Sequence, residues 1–311
     1  MVQLGDESCD ARQPWSTRPA GRKVPRTPTG ARGACVSPGR APAAVRTIQC
    51  PRAPRGLPCP AADAKESRST AVLLRLPISL PEAQQCLAEG AVPVGGATLV
   101  WALWQRDGFP EQAMSLRRLP EANVIEREAL GAAVLLHRMD DRLPEVLRRA
   151  ASTVGTGAVR RTATVGGNIV GSTLRCLLPA ALVLKARATV LDRDGTYETD
   201  LAEVVSKRHL LLGLHWHAPV TSGYSKEAGE AGGPPPLVVA TAVHAGNDGR
   251  HHLDVAVRDG YEVTSGTAPC RTGPEQVLRA LEDTDLGILP PTAWDAVRRE
   301  VTGVLSRTAG S

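Results

Sequence analysis

The chain has 311 residues, 42% of them hydrophobic and only nine of them aromatic, which predicts a largely aliphatic core and excludes disorder of the whole chain. Its longest apolar runs, such as 179–184 and 210–214, are far shorter than the roughly 20 residues of a membrane-spanning helix. The acidic start at 1–7 contains no apolar stretch, so no secretory signal is expected. We expect a cytoplasmic protein without a membrane partner.

The net charge of +5 is concentrated at the amino terminus. Residues 1–69 are rich in Arg and Pro and contain seven Val, Leu or Ile residues, too little apolar surface to offset the entropy of ordering. We interpret them as a disordered basic tail, either a solvated extension or the product of a start codon assigned too far upstream. A nucleic-acid-binding arm is the less favoured alternative, because Trp15 is its one base-stacking aromatic residue. No nucleic-acid partner is predicted.

The cysteines do not form a metal-binding pattern. Four of the seven lie in the tail, at Cys9, Cys35, Cys50 and Cys59, with spacings that match neither a zinc knuckle nor an iron-sulfur motif. The remaining three are dispersed along the chain and are expected to be reduced thiols.

Order is predicted to begin near Thr70, with a strand at 71–76. Ser79 has the spacing to Glu82 of a helix cap, and Gly90 ends the helix that follows.

A first glycine turn follows the short apolar strand 91–94. Gly95 and Gly96 lead from this strand into an apolar helix, an arrangement that can present free backbone N–H groups to a phosphate. An ordinary tight turn is the simpler interpretation of this pair by itself.

A second glycine-rich segment follows a predicted helix at 144–154. Residues 155–169 contain four glycines, three threonines and two arginines, which suits close approach and hydrogen bonding to an anionic ligand better than core packing. A glycine-rich hairpin with Arg160 and Arg161 in solvent is the alternative. Two such loops about 70 residues apart can converge on one dinucleotide.

The segments 94–99, 159–169 and 178–186 together resemble the FAD-binding (medium) subunit of the molybdenum hydroxylases, a family that includes carbon monoxide dehydrogenase and xanthine dehydrogenase. The resemblance implies an α+β fold of the PCMH type, with FAD-binding subdomains at about 70–122 and 123–212. It also implies a small α+β domain at 218–305.

The resemblance implies that the first turn wraps the pyrophosphate of FAD, while the second turn binds the other side of the cofactor and Ile169 lies against its ring system. The residues implied in FAD binding are Val94, Gly95, Gly96, Ala97, Thr98, Leu99, Arg160, Thr164, Gly166, Gly167, Asn168 and Ile169. The chain departs from the family at Arg161 and at Arg175–Cys176, next to these residues.

The rest of the chain predicts structure more than chemistry. His215 and His217 alternate in a strand, where they are expected to face solvent, and no third ligand suggests a metal site. A hairpin is predicted from the strands 237–242 and 253–257 with a turn at 246–250.

The leading hypothesis is an oxidoreductase subunit that relays electrons through FAD between an iron-sulfur subunit and an external acceptor. The resemblance implies a separate molybdopterin-binding large subunit as the second partner. No residue is assigned a catalytic role. The alternatives are a stand-alone flavin oxidoreductase of the same fold and a non-enzymatic interaction protein that has lost flavin.

Overall fold

The computed structural model describes residues 72–229, 233–246, 249–270 and 273–309. The predicted tail 1–69 and its four cysteines lie outside these residues. Helices and strands are combined in three separate sheets, which confirms the predicted α+β class. Among the helices described, none has both the length and the apolar character that a membrane crossing requires.

The first sheet is parallel and has three strands in the order β1-β3-β2. The Oγ atom of Ser79 accepts a hydrogen bond from the N–H of Glu82, and Gly90 follows the helix with a φ of 85°, so the predicted cap and stop are confirmed. The strands are β1 (Leu73–Arg75), β2 (Val92–Pro93) and β3 (Gln112–Met114), and the helices are α1 (Leu80–Ala88) and α2 (Val100–Asp107).

The second sheet has five strands, all paired antiparallel, in the order β4-β5-β8-β6-β7. Its strands are β4 (Ile125–Glu126), β5 (Ala129–Gly131), β6 (Arg187–Leu191), β7 (Thr196–Thr199) and β8 (Leu210–His215). The helices in this part are α3 (Glu145–Ser152), α4 (Gly157–Arg160), α5 (Leu178–Val183) and α6 (Leu201–Lys207). Short 3-10 turns occur at Leu116–Arg118, Pro120–Asn123 and Leu136–Arg138, and a π-helical turn occurs at Gly167–Gly171.

The third sheet is antiparallel, in the order β12-β11-β10-β9. The predicted hairpin is confirmed by the pairing of β10 with β11, although residues 247 and 248 of its turn lie outside the described ranges. The elements are β9 (Thr221–Lys226), β10 (Val238–Ala245), β11 (His251–Asp259), β12 (Glu262–Pro269), α7 (Pro274–Glu282), a 3-10 turn at Asp285–Ile288 and α8 (Pro291–Ala309).

The two faces of the third sheet are buried against different partners because successive strand residues point to opposite faces. Leu253, Val255 and Val257 share a hydrophobic cluster with α7 and α8. Ala240 and Ala256, on the other face, belong to the cluster that includes α5 and the second sheet. The third sheet is therefore packed directly against the helix that follows the second glycine turn.

Candidate functional site

The first glycine turn, Gly95–Thr98, leaves the end of β2 and is largely at the surface. The preceding Val94 is held to β3 by its N–H, which donates to the carbonyl of Met114 at 2.7 Å. Beyond that point the amides of residues 95–98 donate to no other residue that the structure describes. Four successive main-chain donors are thus free for a ligand.

The backbone of the first turn is strained at one position. Ala97 has a φ of 56°, in the left-handed region that costs a non-glycine residue roughly 1 to 2 kcal/mol. Helix α2 then begins only at Val100, with Leu99 as an exposed N-cap residue that forms no side-chain cap. The sequence predicted a helix directly after the glycines, so the observed turn is longer, and Ala97 bends the chain between the glycines and the helix.

The second glycine turn satisfies its own hydrogen bonds. The N–H of Gly166 donates to the carbonyl of Ala132 at 2.9 Å, and the N–H of Gly167 donates to Oγ1 of Thr164 at 3.1 Å. The N–H of Asn168 donates to the carbonyl of Thr164 at 3.0 Å. The amides of this turn are therefore committed to the chain itself.

The predicted side chains of the second turn are buried as well. Oδ1 of Asn168 accepts a hydrogen bond from the N–H of Leu177 at 2.9 Å, which fixes the residues just before α5. Ile169 has no exposed surface and packs in the main hydrophobic cluster. Sequence reasoning expected these residues to face the cofactor, and in the structure their side chains hold the turn in place.

The two turns are in direct contact. A Cβ atom added to Gly95 would overlap Oγ1 of Thr164 and lie 3.7 Å from Cα of Gly167. A Cβ atom on Gly96 would overlap the carbonyl of Thr162. The first turn can approach the second this closely because both positions lack side chains.

The two arginines of the second segment differ in what they contact. Nη1 of Arg160 donates to the carbonyls of Val154 and Gly155 at 3.1 and 2.8 Å, so its guanidinium is hydrogen-bonded within the chain. The exposed guanidinium of Arg161 forms no hydrogen bond or ion pair with any other described residue. In sequence, Arg161 directly precedes Thr162, whose carbonyl lies against Gly96, while the Nη1 atom of Arg161 lies near Gly157.

Sequence reasoning included Arg160 among the site residues and missed Arg161, Thr162 and Ala132. The adjacency of the two arginines could have suggested both as candidates, but the choice between them depends on the carbonyls that Arg160 meets in the fold. No pattern in the sequence marks Ala132 as the acceptor for Gly166.

The remaining histidines and cysteines were not assigned to a site by the sequence. The described residues contain no group of three or more side chains suited to hold a metal ion. His215 ends β8 and His217 lies beyond the strand, with the buried Trp216 between them. Cys86, Cys176 and Cys270 are free thiols.

The first turn suits an anionic group. Consecutive main-chain N–H groups without acceptors in the chain are the kind of donor set that binds phosphate. Residues 95 and 98 are exposed, so a ligand can reach this turn from solvent. The residues present therefore fit a diphosphate bound at the first turn and braced from behind by the second.

Comparison with known proteins identifies a family model that matches residues 70–210. The model is described as the FAD binding domain in molybdopterin dehydrogenase. The match covers somewhat less than half of the chain and supports FAD as the cofactor. The resemblance stated from the sequence is confirmed. No curated protein matches the sequence.

Solved structures show the same fold at low sequence identity. Quinoline 2-oxidoreductase from Pseudomonas putida 86 aligns with a TM-score of 0.57 and 18% identity, over 77% of this chain and 97% of that chain. Reconstituted CO dehydrogenase from Oligotropha carboxidovorans aligns with a TM-score of 0.61 and 16% identity, over 76% and 97%. The carbon monoxide dehydrogenase from Hydrogenophaga pseudoflava aligns with a TM-score of 0.58 and 16% identity, over 77% and 97%.

Proposed function

We propose that this chain is the FAD-binding subunit of a molybdenum hydroxylase-like complex and relays electrons between an iron-sulfur partner and an external acceptor. The observation that carries the proposal is the contact between the two glycine turns, together with the four amides at 95–98 that have no acceptor among the described residues. The family match at residues 70–210 supports FAD as the ligand of this site.

Each turn has its own task in this proposal. The amides of residues 95–98 would bind the pyrophosphate, and Arg161 would balance part of its charge. Thr164, Gly166, Gly167 and Asn168 would hold the position of the first turn from behind. When bound, FAD supplies the redox chemistry, since a flavin can take up and release electrons.

Separate partners are proposed because the described residues have no ligand set for a cluster or a metal. The exposed apolar side chains of Leu99, Trp101, Leu103 and Phe109 also support work within an assembly, because a group of large exposed apolar residues is typical of an interaction surface. We propose FAD-binding subdomains at 70–122 and 123–212 and a carboxy-terminal domain at 218–305, in a cytoplasmic protein.

The test is the visible spectrum of the purified protein, followed by release of its ligand with denaturant. Flavin bands and released FAD are expected, and reconstitution of the stripped protein should quench FAD fluorescence. A colourless protein that FAD does not bind or stabilise thermally would point to an interaction protein instead.

A second measurement separates the relay subunit from a stand-alone oxidoreductase. With a reduced nicotinamide as the electron donor, the isolated holoprotein should reduce dyes or oxygen only slowly. A pre-reduced iron-sulfur partner should pass its electrons to the dye faster when the holoprotein is present than when it is absent. Fast turnover of an organic substrate by the isolated protein would contradict the relay role.

A further inference from the structure

Arg258 is a buried cation in the third sheet, far along the chain from both glycine turns. It lies on β11, between Val238 of β10 and Val263 of β12, and only 1% of its surface is exposed. No described carboxylate forms an ion pair with it, and its Nε has no hydrogen-bond partner within the described ranges. Burying such a charge is costly, so its contacts should reveal what it does.

Arg258 joins two separate stretches of backbone. Nη1 donates to the carbonyl of Leu174 at 2.6 Å, and Nη2 donates to the carbonyl of Pro236 at 2.7 Å. Nη1 also lies 3.5 Å from Sγ of Cys176. A planar guanidinium can bridge carbonyls in this way, whereas a lysine ammonium offers no such fork.

The segment that Arg258 holds is strained and leads to the second turn. Arg175, between the two residues that Arg258 contacts, has a φ of 39°. Strain of this kind persists when the surrounding contacts over-determine the conformation. Two residues later the N–H of Leu177 donates to Oδ1 of Asn168, so the same segment is tied to the second glycine turn.

We infer that Arg258 is a positioning residue for the flavin site, acting from the third sheet through residues 174–177 on Asn168. The inference rests on the proposed function, because it supposes that the second turn braces the first against FAD. Arg258 would hold the segment in its strained form before the cofactor binds, and the stretch 166–168 would be pre-organised as a result.

The matched control lies at the opposite end of α5. There Lys185 forms an ion pair with the buried Asp254 of β11 at 3.1 Å. Asp254→Asn loosens contact between the α5 region and the sheet without touching residues 174–177. A purely structural role for Arg258 would make Arg258→Met and Asp254→Asn equivalent.

The experiment compares wild type, Arg258→Met, Arg258→Lys and Asp254→Asn by titrating each stripped full-length protein with FAD and by following amide hydrogen exchange without FAD. We expect the Kd for FAD to rise about tenfold in both Arg258 variants and to stay near wild type in Asp254→Asn. The amide of Leu177 should exchange faster in the Arg258 variants alone. Arg258→Met should also unfold at a lower temperature, because the carbonyls of Leu174 and Pro236 lose their donor. The Kd values are therefore compared at a temperature where every variant is folded.

Three results would overturn the inference: an unchanged Kd in both Arg258 variants, an equal loss of affinity in Asp254→Asn, or unchanged exchange at Leu177. Arg258→Lys keeps the test decisive if Arg258→Met fails to fold. If wild type binds no FAD, the proposed function fails by itself, and the exchange of Leu177 still decides whether Arg258 holds the segment.

Discussion

The two glycine turns look alike in sequence and differ in the fold. The first, at 95–98, is exposed and strained, and its amides have no acceptor among the described residues. The second, at 164–168, is buried at Thr164 and Asn168 and uses its amides internally. The amides of a glycine turn can thus be available to a ligand or be hydrogen-bonded within the chain. The hydrogen-bond partners of the amides distinguish the two cases.

The largest effect is expected from Gly96→Ala, which tests whether the turns must touch. The added Cβ would overlap the carbonyl of Thr162, a backbone atom that cannot rotate away. Displacement of the first turn should weaken FAD binding by about 100-fold, the scale of a misplacement near 1 Å. Fluorescence titration with FAD measures the loss.

Gly273→Ala is the matched control for this substitution. Gly273 has a φ of −56° and open space around an added Cβ. The Kd of the Gly273→Ala variant for FAD should equal that of wild type. Equal Kd values for Gly96→Ala and wild type would show that the contact between the turns does not matter for binding.

Replacing each of the two neighbouring arginines should change a different property, FAD affinity for Arg161 and stability for Arg160. Arg161→Gln should raise the Kd for FAD about tenfold and reduce its dependence on salt, because the proposed counter-charge of the pyrophosphate is lost. Arg160→Gln should instead lower the free energy of unfolding by about 1 to 2 kcal/mol through loss of its bonds to Val154 and Gly155. FAD titrations at two salt concentrations and urea unfolding measure these effects, and the reverse pattern would assign the cation to Arg160.

Thr98 in the first turn and Thr164 in the second allow the two turns to be compared without a change in charge. Thr164→Val leaves the part-buried N–H of Gly167 without its acceptor and should lower the free energy of unfolding by about 1 kcal/mol. Thr98→Val, at an exposed position without a partner in the described chain, should leave stability nearly unchanged. Urea unfolding of the two variants checks this, and equal stability losses would remove the distinction between the turns.

Ala97→Gly tests the strain of the first turn. Removing Cβ at a φ of 56° should raise the free energy of unfolding by about 0.5 to 1 kcal/mol, after the greater entropy of glycine in the unfolded chain is subtracted. Ala102→Gly, inside α2, should lower it by about 1 kcal/mol. Thermal unfolding measures both effects. If the two substitutions change the melting temperature in the same direction, Ala97 is not strained.

The smallest effect concerns pH and lies away from both turns. Burial raises the pKa of Glu300 on α8, although a hydrogen bond with Ser225 and the charge of Arg307 oppose the shift. The folded protein therefore keeps this proton to a higher pH than the unfolded chain does. Its contribution to stability is present below the unfolded pKa and is lost as the pH rises through the folded pKa.

Glu300→Gln should accordingly unfold at a higher temperature than wild type near pH 8 and at a similar temperature near pH 4. Its Kd for FAD should match wild type at both values, because Glu300 contacts neither turn. A melting temperature below that of wild type at pH 8 would show that the ionised carboxylate is favourable where it lies.

Local signals in the sequence predicted much of the fold. The cap at Ser79, the stop at Gly90 and the hairpin of β10 and β11 depend on neighbouring residues, so they could be found without coordinates. The start of α2 at Val100 was predicted too early, because the left-handed conformation of Ala97 leaves no mark in an alanine. For the same reason, nothing in the sequence marks Arg175 as strained.

The sequence by itself determined that the chain carries two glycine turns and an α+β fold resembling a flavoprotein, since glycine spacing and hydrophobic periodicity are properties of neighbouring residues. Only the tertiary structure decided which turn has free amides, which arginine is unpaired and that Arg258 reaches residues 174–176. Hydrogen-bond acceptors such as the carbonyl of Ala132 come from distant parts of the chain, and folding is what brings them to their donors.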